Sequence, residues 1–132
     1  MSRSKESVTI LGAGSWGTTL AVLLARRERM PVTLWSPFVD QVQAMERERE
    51  NRQFLPGMMF PARLSVTVDI AKALDSSIVI IAVPVQYMRN VLKTVAASGQ
   101  PLKNRLFVSV SKGIELSSLT TPFDMIREEL KV

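Results

Sequence analysis

Apolar residues in this chain alternate between two patterns. Five short runs, at residues 8–11, 32–35, 64–68, 78–83 and 106–110, are rich in β-branched or bulky side chains and unbroken by charge. Runs of that length that are continuous rather than alternating predict strands of a parallel sheet, buried on both faces. Between them the spacing becomes helical. Residues 16–29 read as a helix with Leu20, Ala21, Leu23 and Leu24 as its buried stripe, and Arg26 and Arg27 favour its last turn. Val39, Val42 and Met45 give the next helix an apolar face, and Asp69 caps a short one running through Leu74. Met88, Val91, Leu92 and Val95 fall at i, i+3, i+4 and i+7 of a helix over residues 86–97. Thr121-Pro122 opens the last helix, with Asp124 near its start and Phe123, Ile126 and Leu130 on one face.

Repeated strand–helix alternation predicts an α/β fold with an open, mostly parallel sheet, right-handed crossovers and helices on both faces. Residues 51–63 fit this least and read as the main irregular segment, with a turn at Pro56-Gly57. Phe54, Leu55, Met58, Met59 and Phe60 make that segment too apolar for a free loop, so it is expected to cover a hydrophobic edge or meet a partner surface. The sign-alternating stretch from Glu46 to Glu50 reads as a solvated helix end laced with i,i+3 and i,i+4 pairs.

In such a sheet the ligand lies across the carboxyl ends of the strands. Gly12, Gly14 and Gly17 follow the first run at once, in the spacing G-x-G-x-x-G, with a helix behind them. In that context the spacing predicts dinucleotide binding. Gly12 permits the tight turn, Gly14 lets a pyrophosphate approach the backbone, and Gly17 lets the helix lie close to the strand. The first-turn N–H groups then face the phosphates. Ser36-Pro37, Val83-Pro84 and Ser111-Lys112-Gly113 fall at other strand ends and are expected to converge on the same cleft.

A strictly NAD-type site places an acid after the second strand. Ser36 stands there, Asp40 lies inside the next helix, and no arginine is at hand for a 2′-phosphate except through Arg47 or Arg63. The cofactor is therefore expected to be NAD or NADP, with little preference.

Composition narrows the chemistry. The chain of 132 residues has no cysteine and no histidine, which excludes thiolate nucleophiles, disulfides, the usual metal ligands and the commonest neutral-pH base. No metal is expected. Lys112 is then the best-placed cation for a developing alkoxide, the plain alternative being a solvent-facing lysine. A net charge of +5 without a dense basic block argues against nucleic acid and suits phosphorylated small molecules. Residues 1–7 read as a polar tail rather than a signal peptide, and no apolar run is long enough to span a bilayer. A soluble, cytoplasmic protein is expected.

Five peptides in order go further: Gly-Ala-Gly-Ser-Trp-Gly at 12–17, Leu34-Trp35, Asn-Arg-Gln-Phe-Leu-Pro-Gly at 51–57, Val-Pro-Val-Gln at 83–86 and Val-Ser-Lys-Gly-Ile-Glu at 110–115. Together they resemble the signature of bacterial NAD(P)-dependent glycerol-3-phosphate dehydrogenases, across nearly the whole chain. The resemblance implies a Rossmann-like domain over residues 8–132 of an oxidoreductase that interconverts dihydroxyacetone phosphate and sn-glycerol 3-phosphate in phospholipid synthesis. It implies that Ser15 and Trp16 contact the cofactor together with Gly12, Gly14, Gly17, Val83 and Pro84. It puts Ser36 and Pro37 near the adenosine ribose, where the family carries Arg or His in place of Pro37. Lys112 falls at the nicotinamide and substrate end. Family members continue well beyond Val132 into a helical domain that carries the main catalytic lysine. The resemblance thus implies an isolated cofactor domain, inactive alone, of a full-length enzyme that forms a homodimer. Two other readings stay open: a non-catalytic dinucleotide-binding module, and the cofactor domain of a 6-phosphogluconate or hydroxyacid type of dehydrogenase.

Overall fold

A computed structural model describes residues 6–27 and 30–132. Most of the expected polar tail, residues 1–5, and the expected end of the first helix at residues 28–29 lie outside them. The elements are β1 (Val8–Leu11), α1 (Ser15–Arg27), β2 (Val32–Trp35), α2 (Val39–Glu48), β3 (Glu50–Asn51), β4 (Leu55–Met59), β5 (Leu64–Thr67), α3 (Ile70–Ala73), β6 (Ile78–Ile81), α4 (Val85–Ala96), β7 (Leu106–Ser109) and α5 (Pro122–Leu130).

Five strands form one parallel sheet in the order β5-β2-β1-β6-β7. The chain runs outward from β1 through β2 to β5, then returns across β1 to start the other half at β6. That reversal opens a crevice beyond the carboxyl ends of β1 and β6. Register sharpens it. Leu11 pairs with Trp35 and Ile81, Trp35 with Thr67, and Ile81 with Ser109, so all five strands end at one level.

The runs at the centre of the sheet, β1 and β2, are buried on both faces as expected, while β7 at the edge is not. Val8 and Ile10 of β1 face a core shared with Ala21, Val22 and Ala25 of α1 and Val42 and Met45 of α2. Leu11 faces the opposite core, with Val79 and Ile81 of β6, Met88, Leu92 and Val95 of α4, and Met125, Ile126 and Leu130 of α5. Thr9 also points to that second face, where its hydroxyl donates to the Ala73 carbonyl and pairs with the Ser76 hydroxyl, so no polar group is stranded. Truncating a fully buried central side chain such as Ile10 or Leu11 to alanine costs about 2–5 kcal/mol.

Several expectations need correcting. The segment after α2 is not irregular: β3 and β4 form an antiparallel two-stranded unit, with a register shift between Glu50 and Asn51. Its turn lies at residues 52–54, and Pro56-Gly57 sits inside β4. Leu55 and Met58 pack on the α1 face of the core and Phe60 is buried, whereas Phe54 and Met59 stay exposed. On α1 the stripe is shifted: Gly17, Thr18, Ala21, Val22 and Ala25 are buried, Leu20 and Leu24 pack half-buried against the same core, and only Leu23 of the expected stripe is exposed. On α5, Met125 rather than Phe123 faces inward. The charged end of α2 carries one pair of the expected kind, Glu48–Arg52 at i,i+4; Arg47–Glu48 joins neighbours instead, and Arg49 turns back. Arg49 is the left-handed C-cap, and its guanidinium donates to the Pro61 and Leu64 carbonyls at 2.8 Å each.

Asp69 caps α3 by accepting the Ala71 and Lys72 N–H groups, and Thr121 caps α5 at Asp124, with Pro122 in the first turn, as expected. No helix among the described residues is long and apolar enough to cross a membrane.

Candidate dinucleotide site

The glycine loop between β1 and α1 is built to tolerances that give each glycine a separate task. Gly12 has φ +118°, and a Cβ there would lie 2.8 Å from Val83 Cγ1 and 2.9 Å from the Ala82 carbonyl oxygen. Only glycine adopts that backbone at so little cost. A Cβ on Gly17 would lie 2.0 Å from the Gly12 carbonyl oxygen, a distance no atom pair tolerates. Gly17 is what lets α1 start directly over the turn. Gly14 differs: a Cβ there would meet nothing within 4 Å. The space before it is open.

Helix α1 makes its first internal bond from the Thr18 N–H to the Gly14 carbonyl, at 3.0 Å. The N–H groups of Ser15, Trp16 and Gly17 therefore have no carbonyl before them within the helix. No acidic residue occupies the first turn. Ser15 and Trp16 are exposed at this edge. Val83 lies beneath the loop, buried, and Pro84 is exposed as the N-cap of α4.

At the end of β2 the Ser36 side chain turns inward. It is buried, donates to Gln41 Oε1 at 2.6 Å and accepts the Phe38 N–H at 3.2 Å. The exposed surface of that turn is Pro37 and Phe38. The turn itself carries neither a carboxylate for ribose hydroxyls nor a guanidinium for a 2′-phosphate.

The third part follows β7. Val110 donates to the Ile81 carbonyl at 3.0 Å, and the Ser111 hydroxyl donates to the Val83 carbonyl, so this loop is tied to the residues under the glycine loop. Gly113 then turns with φ +93°. From α4, Gln86 grips the next stretch, donating to the Ile114 carbonyl at 2.9 Å and accepting the Leu116 N–H at 3.1 Å. Arg89, one turn on, meets three carboxylates: Glu115 at 2.9 Å, Glu128 at 3.0 Å and Glu129 at 2.9 Å. The Ser118 hydroxyl, and then Arg89, hold the Glu115 carboxyl below its ordinary range, against the opposing effect of burial. The three carboxylates push the Arg89 guanidinium further up, so it stays charged at any working pH. Lys112 stands on this clasped loop, exposed and with no hydrogen bond or ion pair to the described residues.

The structure thus brings Gly12, Gly14, Ser15, Trp16 and Gly17 together with Val83 and Pro84. It sets Ser36-Pro37 and Lys112 at strand ends on either side. It also gives roles to residues for which pattern reading had none. Gln41 and Asn51 both donate to the Ala13 carbonyl, and Gln86 and Arg89 hold the Lys112 loop. The available sequence signal was the place of Asn51 and Gln86 in the family-like peptides at 51–57 and 83–86, which marked them without giving them a role.

A family profile described as the NAD-dependent glycerol-3-phosphate dehydrogenase N-terminus matches residues 7–132. The chain belongs to the NAD-dependent glycerol-3-phosphate dehydrogenase family. Among its relatives, the glycerol-3-phosphate dehydrogenase (NAD(P)+) of Prosthecochloris aestuarii is 45% identical over 124 residues, which are 93% of this chain and 36% of the relative. That of Citrifermentans bemidjiense is 43% identical over 126 residues, 95% of this chain and 37% of the relative. The crystal structure of glycerol-3-phosphate dehydrogenase from Coxiella burnetii superposes with a TM-score of 0.87 at 31% identity, covering 97% of this chain and 38% of that one. The chain spans little more than a third of the length of the curated glycerol-3-phosphate dehydrogenases it matches. A match over almost the whole chain decides for this family over the 6-phosphogluconate and hydroxyacid types.

Proposed function

We propose that residues 8–132 form the NAD(P)-binding domain of an enzyme that interconverts sn-glycerol 3-phosphate and dihydroxyacetone phosphate. The observation that carries this reading is the open face of Gly14 at the amino end of α1, inside a turn where Gly12 and Gly17 are sterically required. A dinucleotide fits these residues: the pyrophosphate against Gly14 and the free N–H groups of Ser15, Trp16 and Gly17, with Val83 and Pro84 as the adjoining wall. Ser36 shapes the turn at the adenosine ribose and Pro37 forms its surface. Neither offers a charge to the 2′ position, so NAD and NADP are both accepted.

The bound nicotinamide supplies or takes up the hydride. What the protein adds at that end is a cation for the substrate oxygen. Lys112 is the proposed group, held at the end of β7 by the bonds of Ser111, Gln86 and Glu115 to their neighbours. Charge on that oxygen develops only during the transfer, so the ammonium acts mainly on the transition state. In the full-length enzyme a further, helical domain supplies the main catalytic lysine and the phosphate-binding groups. The chain alone then binds cofactor without turnover. A cytoplasmic location and a homodimer of the full-length protein belong to the same proposal.

Calorimetric titration of the 132-residue chain with NADH and with NADPH tests it. Weak binding of both is expected, with dissociation constants within about tenfold of each other, or roughly 1.4 kcal/mol. No heat with either cofactor at millimolar concentration would overturn the reading.

A further inference from the structure

The Ala13 carbonyl sits at the centre of the glycine loop, yet it is bound from outside the loop. It accepts the Gln41 Nε2–H of α2 at 2.9 Å and the Asn51 Nδ2–H of β3 at 2.9 Å. A carbonyl oxygen has two lone pairs, and here both are taken. Neither donor is free to wander. Asn51 is 2% exposed; its second amide hydrogen goes to Thr18 Oγ1 at 2.9 Å, and its Oδ1 accepts the Phe54 N–H. Gln41 is oriented by the Ser36 hydroxyl, which itself accepts the Phe38 N–H.

We propose that Gln41 and Asn51 are positioning residues of the cofactor site, which aim the Gly14 N–H at the pyrophosphate by holding the Ala13 carbonyl from behind. This rests on the reading of the glycine loop as a pyrophosphate cradle. The Ala13–Gly14 peptide is trans, so its C=O and N–H point in opposite directions. Fixing the carbonyl toward α2 and β3 turns the Gly14 N–H away from them, on a residue whose own Cβ would meet nothing within 4 Å.

The clamp answers a weakness that glycine brings with it. Gly14 is needed for close approach, but glycine accepts φ of either sign, so the peptide before it can flip at little cost. The flipped peptide would present an oxygen to a phosphate where an N–H is required. Two amide donors on the carbonyl remove that alternative. They also couple the turn after β2 to the glycine loop, through Phe38, Ser36, Gln41 and Ala13 in sequence.

The test uses the 15N-labelled 132-residue chain and NADH, with Gln41→Met as the main variant because Gln41 is only half-buried. Asn51→Ala is the second, scored where its circular dichroism matches wild type. Wild type should bind NADH with a clear shift of the Gly14 amide proton. In Gln41→Met the dissociation constant should rise about tenfold, the loss of one or two neutral hydrogen bonds, and the Gly14 shift should shrink. The thermal midpoint should fall by no more than about 5 °C, leaving the chain folded at the titration temperature. An affinity within twofold of wild type, or an undiminished Gly14 shift in Gln41→Met, overturns the inference. Failure of wild type to bind NADH instead overturns the cradle reading on which it stands.

Discussion

The glycine loop and the Lys112 loop sit at the ends of β1 and β7, with β6 between them, and they are held by different forces. β1 is fully buried, and the loop after it is fixed by steric fit and by the neutral amides of Asn51 and Gln41. β7 is an edge strand with Leu106 exposed, and its loop is strapped to α4 and α5 by Gln86 and by the Arg89 carboxylate cluster. A cradle for phosphates must present its N–H groups at fixed angles without spending them on neighbouring charges, so neutral partners behind the loop suit it. A loop that offers a single flexible ammonium tolerates a looser, ionic hold. On the proposed function, binding and chemistry fall to regions with different sensitivities to mutation, acid and salt.

The sharpest break of this contrast comes within the glycine loop. Gly17→Ala places a methyl group 2.0 Å from the Gly12 carbonyl oxygen and must displace α1. It should cost about 3 kcal/mol and lower the thermal midpoint by roughly 10 °C, read by circular dichroism. Gly14→Val is the complementary case. Its Cβ meets open space, so the only structural cost is that of a valine at the start of α1, and the midpoint should fall by no more than about 4 °C. The side chain fills the proposed pyrophosphate position, so NADH affinity should fall more than about a hundredfold, or roughly 2.7 kcal/mol, by calorimetry. Equal destabilisation by the two substitutions would show that both glycines serve packing alone.

At the other end, Arg89→Leu leaves Glu115 nearly buried beside two further carboxylates. Amide protection in α5 and in the Lys112 loop should drop sharply while that of β1 and α1 persists, and NADH affinity should change less than about twofold. Acid should act at the same place. The Glu115 pKa is depressed in the fold, so its stabilisation is present above the ordinary carboxylate value of 4.5 and is lost as pH falls through the lower folded value. Protection of α5 should hold constant from neutral pH to about pH 5 and fall below about pH 4, with 0.5 M salt weakening it further. The smallest effect belongs to Lys112→Ala. Stability and NADH affinity should stay within about twofold, while ketone reduction by the full-length enzyme loses turnover number. If turnover also holds within twofold, Lys112 is a surface residue.

The parallel sheet, the glycine loop and both capped helices were legible because each is written in local sequence: a continuous apolar run, a fixed glycine spacing, an Asp or Thr at a helix start. The α1 stripe was misread for a definite reason. Leucines promise the larger burial, but with Gly17 bringing α1 close to the sheet it is Ala21, Val22 and Ala25 that are buried, while Leu20 and Leu24 flank them half-buried and Leu23 is turned out. The β3–β4 unit was hidden by its two-residue first strand, its register shift and the proline in β4. Of the candidate site, the glycine turn was legible and its supports were not. Asn51 reaches Ala13 from 38 residues away, and Arg89 meets Glu129 across 40, separations that no periodicity encodes.

The bond from Asn51 to Ala13 also bears on transplantation. The G-x-G-x-x-G stretch with its flanking strand and helix looks like a portable part, a cassette to be grafted onto another sheet. Its carbonyl, however, is satisfied by side chains from α2 and β3. A graft of residues 8–27 would carry the turn and the helix end but leave the Ala13–Gly14 peptide free to face either way. A working module has to extend at least through Asn51, so the smallest portable unit for this cradle is β1-α1-β2-α2-β3.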